Sequence, residues 1–279
     1  MTTVYVLNDT SAHDHAGCRA VMQSLYARLA GAEIVGRHFV GQRLDDPGFR
    51  DADLVVCNGE GTLHHGKRQA VYLMECLRAA LRQGRRAILV NAVWQEMGGW
   101  GRVLGKLDRL YLREPMSTHQ ALDDIGPYVH GPVECCPDLC LDVALPPTRL
   151  GPYAGQEVLG GVGASGMRRS WPGLEGRIPN AVSLRGQSLQ SAVDELAGAS
   201  LYVTGQHHGV YAAAIAGVPF RCCRSNSWKI ESLLRWYDPE HEWPADEAWC
   251  QRPTDWYAGF SEWLLALPRM PRLIDDAGS

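Results

Sequence analysis

The chain has 279 residues, 46% of them hydrophobic, enough to bury a sizeable core, and at this length two compact domains are expected rather than one. A formal net charge of −4 provides no basic field for a nucleic-acid backbone, which argues against polyanion binding through the surface at large. No run approaches the ~18 consecutive apolar residues of a membrane span, and the opening "MTTVYVLNDTSAHDHAG" lacks the basic, apolar, small-residue order of a signal peptide.

Short apolar or β-branched runs alternate with segments of helical period. The first half predicts a strand at Val4 to Leu7, a helix around His15 to Leu29, and strands at Glu33 to Phe39 and Leu54 to Cys57. It continues with a helix at Gln69 to Gln83, strands at Ala87 to Val93 and near Leu110, a helix at Ser117 to Ile125 and a strand near Val133. The stretch "VALPPTRLGPYAGQ", Val143 to Gln156, collects prolines and glycines without periodicity and reads as a connection, dividing the chain into domains 1–145 and 146–279.

The second half resumes with strands at Val158 to Gly161 and Ala181 to Leu184, a helix at Leu189 to Ala197 and a strand at Leu201 to Val203. A helix at Val210 to Ala216, a strand at Phe220 to Cys223 and a helix at Lys229 to Tyr237 follow. The expected fold is α/β: two Rossmann-like domains with parallel sheets whose strand C-termini face a shared cleft, so that function sits in the loops after strands.

Nine cysteines are scattered and odd in number, and Cys57, Cys222 and Cys223 lie inside strand-like runs, which points to a reducing, cytoplasmic setting. Cys135, Cys136 and Cys140 cluster, but no CxxC pair or HxxxH spacing completes a four-ligand set, and no metal is expected. Near the end, "WLLALPRMPRLI" reads as a terminal helix packed on the body, with peripheral contact to the inner membrane as the alternative.

Four loops carry groups capable of chemistry. After the first strand, Asn8, Asp9, Thr10 and Ser11 can cap the next helix, while His13 and His15 exceed what capping needs. In "DLVVCNGEGTLHHG" a strand ends on Asn58 and then on Glu60 between Gly59 and Gly61. Those glycines permit positive φ or close approach, and a carboxylate held at a strand tip suits general acid–base work. The competing reading makes Glu60 a helix cap; His64 is a further binding candidate, or a packing residue at the helix start.

In "CCPDLCLD", Asp138 closes the last strand before the connection and is either a functional carboxylate or an exposed turn residue. In the fourth loop, Gln206, His207, His208 and Gly209 lead into an alanine-rich helix, and Ser225, Ser227 and Lys229 open the next. Helix N-terminal amides, hydroxyls and an ammonium suit a phosphate, although a serine cap alone explains the serines.

The order of these pieces resembles the polysaccharide pyruvyl transferase family, a GT-B-like fold of two Rossmann domains. "DLVVCNGEGTL" is similar to its Asp-apolar-GGG tip, "LREPMSTHQALDDIG" to its Arg-acidic-x-x-Ser helix start and "CPDLCL" to its strand-end Asp-Pro segment. "VTGQHHGVYAAAIAGVPF" is similar to its RLHG-helix-GVP block and "SNSWKIESLL" to its lysine-bearing segment. Two positions depart: GGG becomes GEG, adding Glu60, and RLHG becomes QHHG, putting Gln206 where an arginine is expected.

The missing guanidinium, a group suited to a phosphate and a carboxylate together, puts a phosphoenolpyruvate donor in question, with Arg113, Arg168 or Arg169 as substitutes. The chain also resembles, less fully, bacterial transferases that take 3-deoxy-manno-octulosonic acid (Kdo) from its CMP conjugate with retention. That likeness implies Asp138 as nucleophile and Glu60 as acid/base, with the CMP phosphate held by His208, Ser225, Ser227 and Lys229, and Gln206 on the sugar or nucleotide.

The reading placed first is therefore transfer of a CMP-activated acidic sugar to a glycan or lipid-linked glycan in cell-surface polysaccharide synthesis, beside partner glycosyltransferases and without a cofactor. Pyruvyl transfer from phosphoenolpyruvate is the alternative, and a non-catalytic glycan-binding scaffold the second alternative. Trp94, Trp100 and Trp171 are taken as core rather than sugar-stacking residues.

Overall fold

The computed structural model describes residues 1–39, 44, 46–128, 130–160, 176–223, 225–240 and 252–274. The chain divides into two compact units: residues 1–12, 25–138 and 269–279 form unit 1, and residues 13–24 and 139–268 form unit 2.

Unit 1 is built on six parallel strands in the order β2-β1-β3-β4-β5-β6. They are β1 (Thr3–Asp9), β2 (Glu33–Phe39), β3 (Leu54–Asn58), β4 (Arg86–Ala92), β5 (Arg109–Leu112) and β6 (Val133–Cys135). β3 is buried along its whole length, as an unbroken apolar run in a parallel sheet should be. Helix α3 (Arg68–Arg82) turns Ala70, Leu73, Met74, Leu77 and Ala80 inward, the three-and-four spacing of one helical face. Short helices α2 (Pro47–Asp51) and α4 (Gly101–Leu104), which hydrophobic period alone does not reveal, precede α5 (Pro115–Ile125). The strand order reverses between β1 and β3, so the crevice off the C-terminal ends of those two strands is where an open α/β sheet takes its ligand.

Unit 2 holds four parallel strands in the order β10-β9-β7-β8. These are β7 (Glu157–Gly160), β8 (Ala181–Val182), β9 (Leu201–Thr204) and β10 (Phe220–Cys222), interleaved with α6 (Leu189–Leu196), α7 (His207–Ile215), α8 (Lys229–Tyr237) and α9 (Thr254–Ala266). Here the order reverses between β7 and β9. Helix α1 (Ala16–Arg28) lies partly in this unit: the Ala16 amide donates to the Leu184 carbonyl at 2.6 Å, and the Gly186 amide to Asp14 Oδ1 at 2.8 Å. The Pro/Gly-rich stretch packs on α6, with the Gly151 and Gly155 amides donating to the Ala197 and Gly198 carbonyls.

Helix α7 begins at His207, three residues ahead of the sequence expectation, because the His-His-Gly triplet is wound into the helix rather than left in the loop. All nine of its residues are buried, which its small alanine side chains permit. In α9 and beyond, Leu264, Met270 and Leu273 are buried, and Trp263 packs among Trp236, Tyr237 and Phe260, so these side chains are spent on packing. Among the described residues, no helix is long and apolar enough to cross a membrane.

Candidate functional site

In unit 1, β1, β3 and β4 each carry an asparagine at or next to their C-terminal ends: Asn8, Asn58 and Asn91, all buried. Asn8 and Asn58 clasp each other across the reversal point. Asn8 Nδ2 donates to the Asn58 carbonyl at 2.5 Å, and Asn58 Nδ2 donates to the Asn8 carbonyl at 3.3 Å. Asn8 and Asn91 sit at positive φ, 60° and 54°, and so does Glu60, at 35°. Residues other than glycine adopt this region at a cost, and such strain gathers where function requires it.

Glu60 follows β3 directly and is 6% exposed. Thr10, on the β1 tip, donates its hydroxyl to Glu60 Oε2 at 2.8 Å, and Asn58 Nδ2 stands 3.5 Å from the same oxygen. The backbone is fixed on both sides: the Gly59 amide donates to the Val90 carbonyl at 2.8 Å, and the Glu60 carbonyl accepts from the Val93 amide at 3.0 Å. Gly59 is required by close approach, since a Cβ there would lie 2.4 Å from Ala92 Cβ and 2.8 Å from Ala92 Cα. The positive φ foreseen for the glycine thus falls on the glutamate. Glu60 caps no helix, because α3 starts only at Arg68 with Lys67 as its N-cap residue.

The other unit 1 candidates are placed as follows. Asp9 is committed to structure: Oδ1 accepts from the Ser11 amide at 2.8 Å, Oδ2 accepts from Tyr26 Oη at 2.5 Å, and Arg37 Nη1 lies 3.7 Å away. Burial, then the bond to Asp9, pushes the Tyr26 phenol above its ordinary range. His64 is buried, with Nε2 3.3 Å from Lys67 Nζ and its ring against His65.

Arg113 and Asp138, at the tips of neighbouring strands β5 and β6, form a buried ion pair with Nη1 and Oδ2 2.6 Å apart. Neither is an exposed turn residue. Glu114 next door caps α5 by accepting from the Ser117 amide at 3.1 Å, and the Ser117 hydroxyl accepts from the Trp94 amide at 2.7 Å. Trp94 lies in the core, and Trp100 packs against it.

In unit 2, the β9 and β10 tips are neighbours, and from them rise α7 and α8. The His208 ring rests on the start of α1: a Cβ on Gly17 would lie 2.1 Å from His208 Cγ and Nδ1. The His15 and His207 rings stand 5.3 and 5.6 Å from that of His208, centroid to centroid. Three imidazoles and the N-terminal turns of α1 and α7 are thus assembled in one place. Gly209, in the first turn of α7, lies against Thr204. Gln206 occupies the N-cap position of α7 without capping it, and its Oε1 is buried without a hydrogen-bond partner among the described residues.

At the adjacent tip, Lys229 Nζ and Ser225 Oγ both donate to Asn226 Oδ1, at 2.7 and 3.3 Å, and the buried Ser227 Oγ has no hydrogen-bond partner among the described residues. Arg168, Arg169 and Trp171 lie outside the described residues. Sequence reasoning passed over Asn91 and Thr62, the latter 3.5 Å from Asn8 Nδ2. The signal for Asn91 was present, since its strand ends an apolar run on asparagine as β1 and β3 do.

Two Rossmann-like units of parallel strands, with polar groups gathered at the strand tips, define a GT-B-like protein. The solved structures agree on the fold. A UDP-GlcNAc 2-epimerase from Neisseria meningitidis, bound to UDP-GlcNAc, is similar with a TM-score of 0.54 at 10% identity, over 94% of this chain and 90% of that one. A functionally uncharacterised protein from Klebsiella pneumoniae subsp. pneumoniae NTUH-K2044 is similar with a TM-score of 0.51 at 12% identity, over 84% and 88%. No curated protein matches the sequence. The profile of the polysaccharide pyruvyl transferase family matches residues 8–227, and the chain belongs to that family of transferases.

Proposed function

We propose that the protein transfers the pyruvyl group of phosphoenolpyruvate to hydroxyls of a saccharide during cell-surface polysaccharide synthesis. The observation that carries the reading is the family match, which opens at Asn8 and closes at Ser227 and so takes in the polar strand tips of both units. The CMP-Kdo reading placed first on sequence grounds takes second place. Glu60 follows β3 and Asp138 follows β6, so their strand tips are three strand spacings apart, about 14 Å. A retaining pair of carboxylates needs about 5 Å, and Asp138 is already engaged by Arg113.

The reaction must add a saccharide oxygen to C2 of the enol ester, give a proton to its methylene carbon, and release phosphate as a second oxygen bonds to C2. One hydroxyl proton ends on the new methyl group and the other on the departing phosphate. Glu60 takes the acid–base role, drawing the proton from the attacking hydroxyl, for which a carboxylate with a fixed backbone and a fixed Oε2 is suited. His207, His208 and Gly209 at the start of α7, with Ser225, Ser227 and Lys229 at the start of α8, receive the donor's phosphate and carboxylate. Gln206 contributes an amide where a guanidinium would otherwise stand, and Arg113 keeps Asp138 neutralised.

The test is incubation with phosphoenolpyruvate and a panel of p-nitrophenyl glycosides, read by phosphate release and by a mass gain of one carboxyethylidene group. Transfer that disappears in Glu60→Gly supports the reading. CMP release and glycosyl transfer from CMP-sugar donors, with phosphoenolpyruvate inert, overturn it.

A further inference from the structure

We infer that Thr10 is the positioning residue for Glu60, acting through an ordered relay that begins at Asn8 and Asn58. This rests on the acid–base role proposed above for Glu60. The glutamate occupies a backbone position at φ 35° that a glycine would take more readily. Its neighbours pin the peptide to β4 through the Gly59 and Glu60 hydrogen bonds. With the backbone fixed, the side-chain rotation remains to be set, and the carboxylate accepts from the Thr10 hydroxyl at 2.8 Å and, more distantly, faces the Asn58 amide at 3.5 Å.

A hydroxyl has one proton. Because Thr10 gives its proton to Oε2, its own oxygen is left as an acceptor, and Asn58 Nδ2 lies 3.5 Å from it. The Asn58 amide is itself oriented, since the same Nδ2 donates to the Asn8 carbonyl while Asn8 Nδ2 donates back to the Asn58 carbonyl. One Asn58 amide proton goes to the Asn8 carbonyl, the other faces the Thr10 oxygen and Glu60 Oε2, and the Thr10 proton ends on that same carboxylate oxygen. Holding Oε2 fixes the plane in which Oε1 lies, and that is the geometry a proton transfer to a second oxygen requires. All four residues are buried.

A structural hydroxyl and a positioning one differ in what their removal moves. Thr10→Val preserves shape and removes the donor. With the p-nitrophenyl glycoside that serves as acceptor, kcat should fall about ten- to hundredfold, with KM for phosphoenolpyruvate unchanged, and Thr10→Ser should restore most of it. A second readout does not depend on turnover: in protein labelled with 13C at the glutamate carboxyl, the resonance that Glu60→Gln identifies should shift in Thr10→Val and return in Thr10→Ser. Unchanged kcat, or a resonance that ignores Thr10→Val, overturns the inference while leaving pyruvyl transfer by the wild-type protein intact. Absence of transfer by the wild type defeats the catalytic reading instead, and the carboxyl resonance still decides whether Thr10 holds Glu60.

Discussion

Gly17→Ala tests the placement of His208 at the start of α1. The added methyl carbon would fall 2.1 Å from His208 Cγ and Nδ1 and 2.7 Å from His208 Cβ. Ordinary contacts between heavy atoms lie near 3.5–4.0 Å, so the ring must retreat by about 1.5 Å. Rotation alone does not achieve this, because Cβ itself is overlapped and belongs to a helix buried on all its faces. The start of α1 is no freer, as Ala16 and Asp14 are bonded to the 184–186 turn. Overpacking of this kind costs about 1–3 kcal/mol, which should appear as a loss of that size in urea denaturation and a fall of several degrees in the melting temperature. Donor binding should weaken with it.

The decisive measurement is the double-mutant cycle with His208→Ala. If the methyl and the ring occupy the same space, removing the ring relieves the clash, and the double variant should be about 1–2 kcal/mol more stable than the two single losses predict. Strict additivity, or a Gly17→Ala protein as stable as wild type, refutes the contact and with it the grouping of His15, His207 and His208 at these helix ends.

Two further outcomes follow from buried groups. Arg113→Met takes the guanidinium from the buried Asp138 carboxylate and should cost about 3–5 kcal/mol in urea denaturation, whereas Arg113→Met combined with Asp138→Leu should recover much of that loss; a loss under 1 kcal/mol would show that the ion pair does not hold Asp138 in place. Burial raises the Cys57 thiol well above its ordinary value, so the folded state prefers the neutral thiol, and the resulting stability is complete below the unfolded value near 8.5 and lost as pH rises. Between pH 7 and 10 the wild type should lose about 2 kcal/mol more than Cys57→Ala, and parallel curves would exclude the effect.

Much of the fold was legible because parallel strands buried on both faces appear as unbroken apolar runs, as Leu54 to Cys57 does, and because α3 and α6 repeat their apolar residues every three or four positions. Short helices were not, since α2 owes its existence to the Asp46 cap and to Pro47 at its first turn, and α4 is a single turn. The assignment of residues 13–24 to unit 2 has no compositional mark, because α1 is continuous through Ser24 and Leu25. The candidate residues themselves were legible as polar groups after strands. Their partnerships were not: Thr10 reaches Glu60 across fifty positions, and Arg113 reaches Asp138 across twenty-five, through strand order that single-sequence patterns do not encode.

Glu60 shows how local rules and function part company. Every local signal at Gly59-Glu60-Gly61 favours glycine: the tip is tight, its φ is positive, and Gly59 leaves no room for a Cβ beside Ala92. A glutamate there brings backbone strain of order 1–3 kcal/mol and places a carboxyl group in a buried position. Capping does not account for it, since the next helix begins at Arg68. The bond from Thr10 contributes about 1 kcal/mol against that strain. The result is a carboxyl group held in a costly backbone position beside the point where the strand order of unit 1 reverses, the place where such sheets meet their ligands. Glu60→Gly should therefore leave the protein as stable as the wild type, or more so, while transfer is lost, and that opposition between stability and turnover is what distinguishes a catalytic carboxylate from a structural one.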